Sequence, residues 1–128
     1  EDFFLGVSPN NPLSKKLHVE IQTLKEETLL LLDEGHCLRD QALDFCASHQ
    51  VSEDYDFRGS SLETLRQMVL ANVGVTLFPD CSRKDDSLSY LPFKGKAPAR
   101  EIAMFWRKTS FKKEIILEIV DDLKRLYS

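Results

Sequence analysis

The hydrophobic positions fall into short runs of two kinds, separated by polar punctuation. Phe3 to Val7 is apolar and β-prone, and Ser8-Pro9-Asn10-Asn11-Pro12 then breaks it, which predicts a strand and a turn. Val19 to Leu24 suits a short helix or turn. Leu29 to Leu32 is a continuous apolar run bounded by polar residues, the pattern of a strand covered on both faces. After Asp33-Glu34-Gly35 the period changes. Leu38, Ala42, Phe45 and Cys46 stand at i, i+4, i+7 and i+8, the stripe of a helix that faces a core.

Tyr55 to Arg58 reads as another strand. Ser60 and Glu63 are spaced as a capping box for a helix whose buried face is Leu62, Leu65, Val69 and Val73, with Gly74 placed to end it. Val75 to Phe78 predicts a strand stopped by Pro79, followed by a polar loop from Asp80 to Asp86. Leu88 to Phe93 and Arg100 to Trp106 are β-like, joined by Lys94–Ala99. Ser110 is placed to cap a last helix with Ile115, Ile116, Ile119, Val120 and Leu123 on its apolar side. Lys112, Lys113, Glu118, Asp122 and Arg125 line the solvated side. Strands alternating with helices define an α/β class with a partly parallel sheet.

Composition narrows the function classes. The 128 residues are one domain's worth, with 42% hydrophobic and 30% charged residues, an ordinary globular balance. A net charge of −4 argues against a surface that grips DNA by itself. No apolar run reaches membrane-spanning length and no signal peptide is present. Glu1 in place of Met suggests a chain that starts inside a longer protein. Three cysteines, odd and sparse, do not make a disulfide scaffold; they fit a reducing compartment, which points to the cytoplasm.

The candidate chemistry lies in Gly35-His36-Cys37-Leu38-Arg39-Asp40 and its continuation to Cys46. Strand, loop and helix put Cys37 at the carboxyl end of a strand, where open α/β sheets place their ligand sites. Nine helical steps set Cys46 on the face opposite Cys37, with Cα atoms roughly 13 Å apart. A disulfide tolerates less than about 7 Å, so bridging the two requires the helix to come apart. At a helix start, unpaired N–H groups and the dipole favour the Cys37 thiolate, and His36 and Arg39 add positive charge. Peroxide attacks such a thiolate to give a sulfenic acid that a second thiol traps.

Blander readings stand beside this one. Cys37 alone could be a structural cysteine, Cys46 belongs to the apolar stripe, and Cys81 reads as a bystander. His36, Cys37, Cys46 and His49 are zinc-ligand types, but the two cysteines diverge in an intact helix and no C-x-x-C knuckle is present. Arg39 and Asp40 could be a solvated face, or Asp40 could order the loop. His18 and His49 read as surface residues.

The motif Gly-His-Cys-Leu-Arg-Asp-Gln-Ala (35–42) followed by Phe45-Cys46 resembles the redox centre of the OxyR-type peroxide sensors among the LysR-type regulators. FFLGVSPNNPLS (3–14) resembles the strand and His-Pro-Leu-Ala segment that open their second regulatory subdomain, and SSLETLRQMVLANVGVTLFP (60–79) resembles their later helix–Gly–strand unit. The similarity covers essentially the whole chain, with the cysteine motif as its specific part. It implies a periplasmic-binding-protein-like fold, with residues 4–78 as the second subdomain and 79–128 as the returning part of the first. The winged helix-turn-helix and the opening part of the first subdomain are not in this sequence.

The resemblance further implies a regulator rather than an enzyme. Cys37 would be the peroxidatic thiol and Cys46 the resolving thiol of a reversible disulfide that remodels 35–50. Arg100 would face the sensing pocket, with His36, Arg39 and Asp40 as further ligand-binding candidates. Asp56 stands where such proteins have a histidine, and their peroxide-holding threonines fall outside this sequence. No cofactor and no metal are expected. The implied partners are hydrogen peroxide, further copies in a homodimer or tetramer, and a reductant such as glutaredoxin or thioredoxin. Promoter DNA and RNA polymerase would be met only through the full-length protein, and no membrane is implied. Two rivals are a LysR-type domain that senses a small metabolite, with non-sensing cysteines, and a thiol peroxidase. Neither a C-x-x-C nor a Cys–His–Asp set supports the latter.

Overall fold

The structure is a computed structural model that describes residues 1–127; the side chains of residues 53–56 lie outside the description, and with them that of Asp56. The first strand, β1 (Phe3–Val7), is the middle of a three-stranded antiparallel sheet between β4 (Thr76–Pro79) and β5 (Ser89–Leu91). Leu5 lies opposite Leu77 on one side and Leu91 on the other. The second ladder pairs β2 (Leu29–Leu32) with β3 (Glu53–Gly59) in parallel, with Leu31 across from Arg58 and Leu32 from Gly59. The helices are α1 (Cys37–His49), α2 (Leu62–Leu70) and α3 (Lys113–Leu126), and short 3₁₀ turns cover Pro12–Lys15, Ile21–Glu26 and Asp80–Ser82.

The all-leucine strand explains how α1 is held. Leu29 and Leu31 point into a cluster with Ala42, Cys46 and Val51, under α1. Leu30 and Leu32 point the other way, into a cluster with Leu65, Val69 and Phe78, under α2. The period-two alternation of a strand thus serves two cores at once, which is why the run has no polar position. Backbone bonds from Leu30 N to Val75 O and from Val75 N to Thr28 O, both 2.9 Å, join the two ladders. The buried Thr76 hydroxyl donates to Leu30 O at 2.6 Å beside them. A Cβ on Gly74 would come within 2.4 Å of Thr28 O, so this close approach needs glycine.

Several expected boundaries shift. Ser61, not Ser60, caps α2, its hydroxyl accepting from Thr64 N at 3.1 Å; Ser60 is one residue too early to reach that N–H. The helix ends at Leu70 and Asn72 takes φ +58, which turns Val73 outward to 36% exposure instead of into the core. Gly74 therefore serves the packing against Thr28 rather than the helix end. Residues 100–106 do not form a strand. Their neighbouring backbone ties are the Asp2–Ala99 bridge and the reciprocal bonds between Glu1 and Arg100, and β-prone side chains make no ladder without a partner strand.

The last helix starts at Lys113 without a side-chain cap, although Ser110 Oγ accepts from Lys112 N just before it. It is amphipathic as expected, yet none of its residues is buried. Ile115 and Ile119 are exposed, and an apolar groove of about 1090 Å³ runs between α3 and residues 100–106, lined by Met104, Trp106, Val120 and Leu123 among others. No described helix is long and apolar enough to cross a membrane.

Candidate redox site

The site begins where β2 ends. Asp33 N donates to Gly59 O at 2.9 Å, which ties the strand's exit to β3. Glu34 and Gly35 form a turn, with Gly35 at φ +90, a conformation that favours glycine. His36 is the N-cap residue of α1 in extended conformation, and its side chain makes no cap bond. Its carbonyl accepts the first helical bonds, from Arg39 N at 3.0 Å and Asp40 N at 3.3 Å. Cys37 is therefore the first helical residue and its thiol is exposed.

Cys46 is nine residues further along the same uninterrupted helix and is 2% exposed, packed with Leu29, Leu31, Ala42 and Val51. Its carbonyl closes the helix: Val51 N donates to Cys46 O at 2.9 Å and Gln50, at φ +57, donates to Ala47 O, a Schellman-type ending. The stripe of Leu38, Ala42, Phe45 and Cys46 packs inward as the spacing predicts, with Leu38 and Phe45 partly covered. Neither cysteine is in a disulfide.

Arg39 corrects the sequence reading. It is not part of a solvated face but 6% exposed, and its Nη1 donates to Leu32 O at 2.9 Å. Leu31, Leu38, Ala42, Leu62 and Leu65 surround it, lining a small void of about 10 Å³. A signal for this was present: Arg39, Ala42 and Cys46 stand at i, i+3 and i+7 and are the three buried residues of α1. The arginine occupies a core position of the helix. Asp40 and His36 are exposed, as is His18. His49 is half-buried rather than fully at the surface, its ring tilted against Phe45 at 4.6 Å and its Nδ1 2.9 Å from Phe45 O.

Arg100 belongs to a second cluster that sequence spacing could not reveal. Its guanidinium pairs with the Glu1 carboxylate at 2.6 Å, and its Nη2 lies 3.6 Å from Cys81 Sγ. Cys81 N donates to Glu1 Oε1 at 2.8 Å. Its bond to the Glu1 carboxylate, then partial burial and the negative charge, push the Cys81 thiol up, and Arg100 only partly opposes this. For Glu1, burial pushes up, but the bonds from Cys81 and Arg100 prevail and hold the carboxyl below its ordinary value. The exposed third cysteine is thereby disfavoured as a thiolate.

An open cleft of about 670 Å³ runs between α1 and the 94–101 connection. Gln41, Asp44 and His49 face Lys94, Lys96 and Arg100 across it. Gln41 Oε1 is buried there without a hydrogen-bond partner. Arg100 and the helix that carries both cysteines thus border one opening. Among the described residues no group of three metal-ligating side chains converges.

The chain is 42% identical over 114 residues to a "Hydrogen peroxide-inducible genes activator" from Pectobacterium carotovorum subsp. carotovorum, a match over 86% of this chain and 38% of that protein. It spans about two fifths of the length of such relatives. A crystal structure of the reduced form of OxyR superposes with a TM-score of 0.76 at 31% identity, over 94% of this chain and 58% of that one. A crystal structure of the oxidised form superposes with a TM-score of 0.63 at 39% identity, over 77% of this chain and 48% of that one. The family profile described as the LysR substrate binding domain matches residues 1–127. The chain belongs to the LysR substrate-binding domain family and has its periplasmic-binding-protein-like α/β fold, in the form found in OxyR regulatory domains.

Proposed function

We propose that this chain is the peroxide-sensing part of a LysR-type transcription activator and that a reversible Cys37–Cys46 disulfide is its switch. The single observation that carries the proposal is the placement of the two thiols on one helix. Cys37 is exposed at the first turn, and Cys46 is buried nine residues later, in a chain 42% identical over 114 residues to a protein named as a hydrogen peroxide-inducible genes activator. Peroxide oxidises the Cys37 sulfur to a sulfenic acid and leaves as one water. The Cys46 thiol then attacks that sulfur, forms the S–S bond and expels the hydroxyl as a second water. Two thiols give up two electrons and one peroxide takes them. A dithiol reductant such as glutaredoxin or thioredoxin reverses the step by exchange.

In this proposal His36 and Asp40 flank the reacting thiol from the exposed first turn, and Arg100 borders the cleft beside α1, opposite Gln41, Asp44 and His49. Residues 4–78 constitute the second regulatory subdomain and 79–128 the returning part of the first. The uncovered apolar face of α3 and of 102–106 supports this, because it has the character of half a core whose complement lies in the remainder of a longer regulatory domain. Homodimer or tetramer formation, promoter DNA and RNA polymerase belong to that longer protein, in the cytoplasm.

The test is a peptide map of the protein after mild peroxide, digested with and without reductant. A linked Cys37–Cys46 peptide with free Cys81 is the expected result. Cys81 in the bridge, or intermolecular bridges alone, would overturn the assignment. The cleft of about 670 Å³ favours one rival, a LysR-type domain that senses a small metabolite with non-sensing cysteines. A Cys37 inert to peroxide would decide for it.

A further inference from the structure

We infer that Arg39 is the positioning residue of the redox segment, clamping the loop that carries His36 and Cys37 onto the end of β2 until α1 opens. Its redox consequence rests on the disulfide proposed above; its geometry does not. The guanidinium Nη1 reaches back seven residues to Leu32 O at 2.9 Å, across the turn at Gly35. It does so from the buried face of α1, in line with Ala42 and Cys46, among Leu31, Leu38, Leu62 and Leu65.

A guanidinium withdrawn from water is stable only where its directed bonds are made, so the fork has one good position here. That position fixes both ends of the four-residue link between β2 and α1, because Asp33 N is already held by Gly59 O. Arg39 also lies between the two cysteines in sequence. No rearrangement that brings Cys46 to Cys37 leaves the intervening backbone helical, so the clamp and the helix are lost together. Leu32 O would then lose a charged donor. The clamp therefore favours the dithiol state, with Cys37 outward and Cys46 inward.

The experiment compares the intact protein with Arg39→Met, Arg39→Lys and Asp44→Gly. Methionine keeps the stem without a donor, and lysine restores one charged donor. The glycine, at an exposed position of α1 between the cysteines, weakens the helix without touching Leu32. Two quantities are read: the alkylation rate of Cys46 in the reduced protein, and the bridged fraction across glutathione redox buffers. Arg39→Met is expected to speed Cys46 alkylation at least tenfold and to shift the equilibrium at least tenfold toward the disulfide, about 30 mV for a two-electron couple. Arg39→Lys should recover most of both changes, and Asp44→Gly should produce less than Arg39→Met. Equal effects of Met and Gly, or a lysine variant no better than methionine, would overturn the clamp. Faster Cys46 alkylation in Arg39→Met with no bridge in any variant would support the clamp and remove the disulfide instead. If Arg39→Met does not fold, Arg39→Gln takes its place with the same expected direction.

Discussion

Cys37 and Cys46 lie on opposite faces of one unbroken helix, the first exposed at its first residue and the second 2% exposed in the core. Nine residues of helix hold their Cα atoms roughly 13 Å apart, nearly twice the limit of about 7 Å for a disulfide. Oxidation that joins them must dismantle α1.

Amide exchange is expected to change across residues 35–50 when the protein is oxidised. The Schellman-type bonds that close α1 through Cys46 O should be lost with the helix. Residues 62–70 of α2 should remain protected, because they pack on the other face of β2. Hydrogen-exchange mass spectrometry of both states checks this. An unchanged 37–46 pattern in a bridged protein would remove the switch mechanism.

Removing the second thiol separates chemistry from packing. Cys46→Ala should stop oxidation at the Cys37 sulfenic acid, which dimedone traps, and should cost about 1 kcal/mol of stability from the lost sulfur contacts. Cys46→Ser places a hydroxyl in the same apolar cluster and should cost about 1–3 kcal/mol. Chemical denaturation of the reduced proteins measures both. Identical stabilities for Ala and Ser would contradict a core position.

Cys81 should be slow for an exposed thiol. The Glu1 carboxylate, through its bond and its charge, pushes the Cys81 thiol up. Neutralising it in Glu1→Gln lowers that pKa toward its ordinary value and enlarges the thiolate fraction at mildly alkaline pH. Alkylation of Cys81 at pH 8 should then rise severalfold, with Cys46 unaffected. A rate that does not respond to Glu1→Gln would exclude the carboxylate as the cause.

Arg66 anchors the loop after β4. It is 4% exposed and donates to Asp86 at 3.0 Å, Glu63 at 3.2 Å, Ser82 O at 2.7 Å and the Tyr90 hydroxyl. Arg66→Ala leaves Ser82 O without this donor and takes the cation from Asp86, which keeps the Tyr90 hydroxyl and Leu88 N as donors, and a loss of about 2–3 kcal/mol is expected by denaturation, discounted because Glu63 is solvated. The Cys37–Cys46 chemistry should survive in the folded fraction.

Tyr90 carries a related pH dependence. Burial first, and then its bond to Asp86, push its phenol up. A folded-state pKa above the unfolded value means a stability contribution present below about pH 10 and lost as pH rises through the folded-state value. Tyr90→Phe should flatten the alkaline limb of the stability profile between those values. An unchanged limb would show that Tyr90 does not titrate on unfolding.

The sequence by itself determined the elements whose signal is local. Leu29–Leu32 reads as a doubly covered strand and is one, because four leucines with no polar position leave no solvent face. The stripe through Leu38, Ala42 and Cys46 places α1 and its two thiols, because helical periodicity alone divides exposed from buried positions. The tertiary structure decided whatever depends on a distant partner. Arg39 looked like surface because arginine is costly to bury, and the Leu32 carbonyl, brought beneath it by the fold, supplies a partner there that the sequence does not show. Arg100 and Cys81 meet Glu1 across about eighty to one hundred residues of chain, a separation no local pattern encodes. Residues 100–106 have the composition of a strand and are not one, since a ladder requires a neighbouring backbone and composition supplies only side chains.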